Sequence, residues 1–259
     1  MSTTSTTSWT DHVDRYTDEV TSRLADITRA ARSGELDPAI DLLVAALERG
    51  AVIQAFGTGH SEAFAMEIAG RAGGLIPTNK IALRDVVLRG ARSIDDLGGA
   101  ALERSGDVAA ELFAISPVGE GDVFIIASNS GVNGSIVGLA LIAKEHGHPV
   151  IAVTSLEHTS RVEPKHPSGL RLSEVADVVL DNRAPFGDAT IEVQDGVPVG
   201  AVSSITAAYL AQLLTIGVAA RIAATGETPP LYISANIPGG DEHNSVLEDR
   251  YRGRIRRDA

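Results

Sequence analysis

The chain has no cysteine. That excludes a disulfide framework, a thiol nucleophile and a cysteine-based zinc site. Aromatic residues are scarce, at 4%, and Ala, Val, Ile and Leu take their place in the apolar fraction. Such a composition suits strands buried on both faces and closely packed helices. No broad basic stripe is present, and the formal charge is -12. Nucleic acid is therefore not expected as a partner, and any anionic ligand must be gripped by a local arrangement. No signal-peptide pattern opens the sequence, which together with the missing cysteine gives a cytoplasmic expectation.

One long apolar run needs weighing against a membrane span. Ala201 to Ala224 has the length of a span, but it carries Ser203, Ser204, Gln212 and Arg221. It reads as a buried core helix or a subunit-interface helix, with no membrane partner. The 259 residues fit one large α/β domain or two small ones. No repeat, long linker or composition break marks a boundary, so residues 9–259 are expected to form one unit. Residues 1–8, mostly Ser and Thr, are expected to be disordered.

From Trp9 to Arg32 the apolar positions Val13, Tyr16, Val20, Leu24 and Ile27 recur at helical spacing. Asp37-Pro38 starts a second helix, with Asp37 as its cap, and Gly50 closes it. Strand and helix signals then alternate. Continuous apolar runs at 51–56, 122–127, 149–153 and 176–180 each end in a polar loop, and a weaker strand is placed at Leu75-Ile76. Helices are expected over 62–71, 101–114 and 135–145. This order predicts a parallel sheet with helices on both faces. Ligands then bind beyond the carboxyl ends of the strands. The basic segment 250–257 reads as a solvated tail or a subunit contact.

Two loops follow buried strands and could carry chemistry. Ser128-Asn129-Ser130-Gly131-Val132-Asn133-Gly134-Ser135 opens a helix. Hydroxyls, amides and backbone N–H groups there can hold a phosphate without a Lys or Arg. An ordinary helix-capping loop would look the same. Gly57-Thr58-Gly59-His60-Ser61-Glu62 begins like a dinucleotide fingerprint, but Glu62 stands where the third glycine belongs, so no nicotinamide cofactor is expected. Glu145-His146-Gly147-His148 reads as a helix end and turn, not as a metal pair. No cofactor or metal is expected.

These two loops resemble those of the sugar isomerase (SIS) domain family. The likeness extends through Arg71-Ala72-Gly73-Gly74-Leu75, Ile151 to Leu156, Arg171 to Val179, Gly187-Asp188-Ala189 and Ser234 to Asn244. As a set, these motifs are similar to the UPF0309-type subgroup. The resemblance implies a flavodoxin-like three-layer αβα sandwich with a five-stranded parallel sheet, preceded by N-terminal helices. It also implies a homodimer or homotetramer with shared sites. By position, Ser128, Ser130 and Asn133 would hold phosphate, Asn129 would add contacts, and Ser61 would line the sugar site beside Thr58, Gly59 and His60.

Members that move protons remove an acidic C–H beside the sugar carbonyl, which a carboxylate or His can do. Glu62, on a first helical turn after the polar loop, is the first candidate, or else it complements the helix dipole. Glu103 is the second candidate, or else a surface ion pair, and Glu67 is the third. His243 is a candidate for ring opening or for contact across subunits, or else a structural turn residue. Two carboxylates in one pocket would suit elimination. The expectation is a dehydratase (lyase) acting on an amino-sugar phosphate such as N-acetylglucosamine 6-phosphate, by C2 proton abstraction and C3 elimination. A phosphosugar aldose–ketose isomerase is one alternative. A non-catalytic phosphosugar sensor is the other.

Overall fold

A computed structural model describes residues 8–257. The expectation for residues 1–7 lies outside them. Ser8 is already ordered as a cap: its hydroxyl accepts from Asp11 N and the Asp11 carboxylate accepts from Ser8 N. The chain then runs α1 (Trp9–Arg32), α2 (Asp37–Glu48), β1 (Ile53–Gly57), α3 (Glu62–Ile68), β2 (Thr78–Ile81), α4 (Asp85–Leu88), α5 (Ala101–Arg104) and α6 (Val108–Ile115). It continues through β3 (Val123–Ala127), α7 (Gly134–Glu145), β4 (Val150–Thr154), α8 (Leu156–Thr159), α9 (Leu172–Val175) and β5 (Val178–Asp181). A hairpin of β6 (Ala189–Gln194) and β7 (Val197–Ala201) leads to α10 (Ser203–Ala224) and α11 (Gly240–Glu248).

Strands β1 to β5 form one parallel sheet in the order β2-β1-β3-β4-β5, the flavodoxin-like order. Side chains alternate across it. Ile53, Ala55, Ile125, Ile151 and Val153 face a core shared with α1, α2, α3 and α10. Phe56, Phe124, Ile126, Val150 and Ala152 face a second core under α6 and α7. Burial on both faces is why β1, β3 and β4 read as unbroken apolar runs. Residues 203–224 of the apolar run form α10, one face of which packs into the core. Its Leu210, Leu214 and Val218 are buried, Gln212 Nε2 donates to Glu67 Oε2 at 2.7 Å, and Arg221 pairs with Asp37 at 2.8 Å.

Four local expectations are corrected. The second strand is Thr78–Ile81, and Leu75 instead bridges antiparallel to Leu231. The segment expected to be helical over 101–114 breaks into α5 and α6 at Ser105-Gly106-Asp107. Asp37 is the first residue of α2 rather than its cap, and its carboxylate answers Arg221. The basic C-terminal segment is not a free tail. Asn79 Nδ2 donates to Arg254 O at 2.7 Å, Arg256 N donates to Asn79 Oδ1 at 2.8 Å, and Arg254 pairs with the buried Asp122.

Candidate active site

The carboxyl ends of β1 and β3 lie side by side, at the point where strand order reverses. Both polar loops leave from there. In the second loop, Gly131 N donates to Ser128 Oγ at 3.1 Å and curls the loop before α7 begins. Gly131 has φ +65°, and a β-carbon on it would press on the hydroxyls of Thr154 and Thr159. The first turn of α7 leaves its N–H groups without intrahelical partners and adds partial positive charge there.

Glu103 joins the two loops. Its Oε1 accepts from Asn133 Nδ2 at 2.5 Å and from Thr58 Oγ1 at 3.1 Å. Its own carbonyl accepts from the buried Ser135 Oγ at 2.8 Å. The second carboxylate oxygen, Oε2, lies over Gly59, 3.9 Å from where a β-carbon would stand. Gly59 itself is exposed, and Glu103 is half-buried. Close packing makes the arrangement possible: a β-carbon on Gly134 would stand 2.2 Å from Arg104 O.

On the other side of the loops is a narrow crevice lined by His60, Ser61, Ser128, Asn129, Asn182, Ser203 and Ser204, among others. It offers about 10 Å3 to a water-sized sphere, close to the lower bound for one water. Asn182, Ser203 and Ser204 were not expected here. Ser203 and Ser204 were visible as the polar breaks in an apolar run. Asp188 sets their position: its Oδ1 accepts from Val202 N (3.1 Å) and Ser203 N (2.8 Å), and its Oδ2 accepts from Ser203 Oγ at 2.7 Å. Asp188 takes φ +69° to do this.

The remaining expected residues divide clearly. Asn129 Oδ1 accepts from Asn182 Nδ2 at 3.1 Å, so its side chain braces the loop. Asn133 is engaged with Glu103. The Ser128 hydroxyl accepts from Gly131 N, and Ser130 follows in the same loop, half-buried, ahead of α7. His60 is exposed at the crevice rim, next to Ser61. Glu62 is turned to the β2 edge, where Oε1 meets Arg84 Nη1 at 2.7 Å and Lys80 Nζ at 3.7 Å. Glu62 is thus ion-paired with two cations in this chain, a contact that neither its catalytic nor its helix-dipole reading had named. Glu67 pairs with Arg71 and Gln212. His243 is not brought to the site within this chain. Its Nε2 lies 3.0 Å from Leu231 O, in the segment bridged to Leu75, which precedes β2 at the amino end of the sheet. Among the described residues no group of three or more His, Asp or Glu side chains could hold a metal ion.

A model of the SIS domain matches residues 15–155, more than half of the chain. The chain belongs to the SIS domain family. A UPF0309 protein of Geobacillus thermodenitrificans is 34% identical over 244 residues, covering 94% of this chain and 96% of its own length. A UPF0309 protein of Brucella melitensis biotype 2 is 34% identical over 246 residues, covering 95% and 98%. Among solved structures, a phosphoheptose isomerase from Francisella tularensis superposes with a TM-score of 0.46 at 17% identity, over 82% of this chain and 98% of its own. The Vibrio vulnificus NanR protein complexed with ManNAc-6P gives 0.45 at 17% identity, over 93% and 69%.

Proposed function

We propose that this SIS protein binds a phosphorylated sugar across the carboxyl ends of β1 and β3 and removes its C2 proton with Glu103. The observation that carries this reading is the attachment of one carboxylate to both ligand loops at once, through Thr58 and Asn133. The phosphate sits on Ser128, Ser130 and the first turn of α7, where hydroxyls, N–H groups and the helix dipole favour an anion. Ser61, Ser203 and Ser204 hold sugar hydroxyls. With the sugar open, C2–H is acidic because its carbanion is delocalised onto the C1 carbonyl, and Glu103 Oε2 takes that proton.

The fate of the carbanion depends on what C2 carries. With a C2 hydroxyl, Glu103 returns the same proton to C1, the hydroxyl proton moves to the former C1 oxygen, and a ketose phosphate results. One carboxylate suffices, and this supports the aldose–ketose isomerase reading best. With a C2 acetamido group, as in N-acetylglucosamine 6-phosphate, the electron pair instead expels the C3 hydroxyl as water. That dehydratase reading needs an acid at C3. Glu62 is committed to Arg84 and Lys80, so the C3 proton would come from His60 or from a neighbouring protomer.

The test is incubation of wild type, Glu103→Gln and Glu62→Gln with hexose and N-acetylhexosamine 6-phosphates, followed by mass and retention time. Unchanged mass at a new retention time supports isomerisation, and loss of one water supports dehydration. Saturable binding with no product from any sugar returns the sensor reading. Equal turnover by Glu103→Gln would remove Glu103 from the mechanism.

A further inference from the structure

In a chain of formal charge -12, one open cavity is lined by Arg71, Lys80, Arg256 and Arg257 and by no carboxylate among the described residues. Its volume is about 490 Å3, within the range of small-molecule sites. It lies along the exposed side of α3 beside the edge strand β2, and none of its lining residues borders the crevice at Ser128. A second cavity of about 210 Å3 adjoins it, sharing Gly70, Arg71 and Arg257. The second wall is polar and uncharged, with Ser234, Asn236 and Asn244 beside Tyr232.

We infer that these joined cavities form a second ligand site, for a phosphorylated small molecule that carries a polar, uncharged moiety such as a sugar. Phosphoryl oxygens take the compartment of four cations, and the uncharged part takes the wall of Ser234, Asn236 and Tyr232. The cations are held in place before any ligand arrives. Arg257 lies over the Tyr232 ring, 5.1 Å from its centroid, and meets Glu248 at 2.9 Å. Arg71 pairs with Glu67, which Gln212 fixes in turn. Arg256 is tied to Ile115 O and, through its N–H, to Asn79. Lys80 is mostly buried and leans towards Glu62 at 3.7 Å. The carboxylates paired with these cations, Glu62, Glu67 and Glu248, line neither cavity. Planar guanidinium groups suit a phosphate, since each can donate two parallel hydrogen bonds.

The site does not depend on the reaction proposed for the Ser128 loop, and the two are separable. Inorganic pyrophosphate is the probe, titrated calorimetrically at low salt into wild type, Arg71→Gln/Arg257→Gln and Ser128→Ala/Ser130→Ala. The binding event belonging to the cleft should weaken about tenfold or more in the arginine variant, which loses charge-assisted hydrogen bonds, and should persist in the serine variant, where only binding at the Ser128 loop is lost. Lys80→Gln is the second cleft variant should the double substitution unfold the chain, and it should weaken binding in the same sense. Unchanged affinity in a folded cleft variant overturns the inference, as does loss confined to the serine variant. A change of oligomeric state in the cleft variant by sedimentation would also overturn it, by showing the cleft to be a contact between copies of the chain.

Discussion

Glu103 and Asn133 lie thirty residues apart and meet at 2.5 Å, carboxylate to amide. Asn133 is the cap residue of α7, so Glu103, the proposed base, is bonded to the residue that starts the helix proposed to face the phosphate. Substituting Glu103→Gln keeps the shape and an oxygen that can accept from Asn133 and Thr58, but removes the proton acceptor. Turnover should fall by about 10²–10⁴-fold, with substrate affinity within a few-fold of wild type. Steady-state kinetics together with equilibrium binding checks this. A loss of affinity without a loss of turnover would make Glu103 a loop brace instead.

Much of this site was legible as separate nominations, and less of it as an arrangement. Ser128, Thr58 and Glu103 all stood out by type and position, yet Glu62 ranked above Glu103. Sequence order favoured the carboxylate directly after a polar loop. Which way a first-turn side chain leans depends on Lys80 and Arg84, residues from another element. The sheet divides in the same way. β1, β3 and β4 announce themselves because both faces are apolar. β2 does not, because Asn79 turns inward to hold the C-terminal strap and Lys80 turns to the cleft. The β6–β7 hairpin had a readable Asp195-Gly196 turn between residues of strand type. The alternation on either side of it is weak because most of the hairpin is exposed.

Gly134→Ala tests the packing that delivers Glu103. The added β-carbon would stand 2.2 Å from Arg104 O and 2.9 Å from Gly106 N, both backbone atoms. A helix's first residue ordinarily tolerates Ala, so any cost arises from this contact alone. The α5 segment must move off α7, breaking the bond from Ser135 Oγ to Glu103 O. The expected result is a loss of about 1–3 kcal/mol in urea unfolding and a fall in turnover of about tenfold or more. Wild-type stability and turnover in the variant would show that α5 does not need this approach.

Arg254 secures the C-terminal strap to a fully buried carboxylate. Asp122 Oδ1 accepts from Arg254 Nη2 at 2.6 Å and Val52 N at 2.8 Å, and Oδ2 accepts from Gln54 Nε2 at 2.8 Å and Gly119 N at 2.9 Å. Arg254→Met keeps the aliphatic bulk and strands the negative charge. Removing one partner of a buried pair is costly. The three remaining donors and the partial exposure of Arg254 reduce the loss to about 2 kcal/mol. Chemical denaturation measures it, and adding Asp122→Asn should recover part of the loss, giving a coupling term between the two positions. Full additivity of the two substitutions would contradict the pairing.

Asp177 supplies a pH signature of the β4–β5 end of the sheet. Burial favours its protonated form, but the Lys144 ammonium and the Val150 N–H, which donates to Oδ2 at 2.8 Å, outweigh burial and lower its pKa below the ordinary 3.8. A carboxyl with a lowered folded-state pKa stabilises the fold above its unfolded value and loses that contribution as pH falls through the folded one. Asp177→Asn should therefore be less stable than wild type at neutral pH. The gap should begin to narrow near pH 3.8 and close at more acid pH. Because both Asp177 and Lys144 are partly exposed, added salt should shrink the neutral-pH gap. Thermal unfolding of the two proteins across pH 2–7 (an approximate acid-to-neutral range) reads this directly, and a gap that stays constant into acid would show that the stabilisation does not come from the ionised carboxylate.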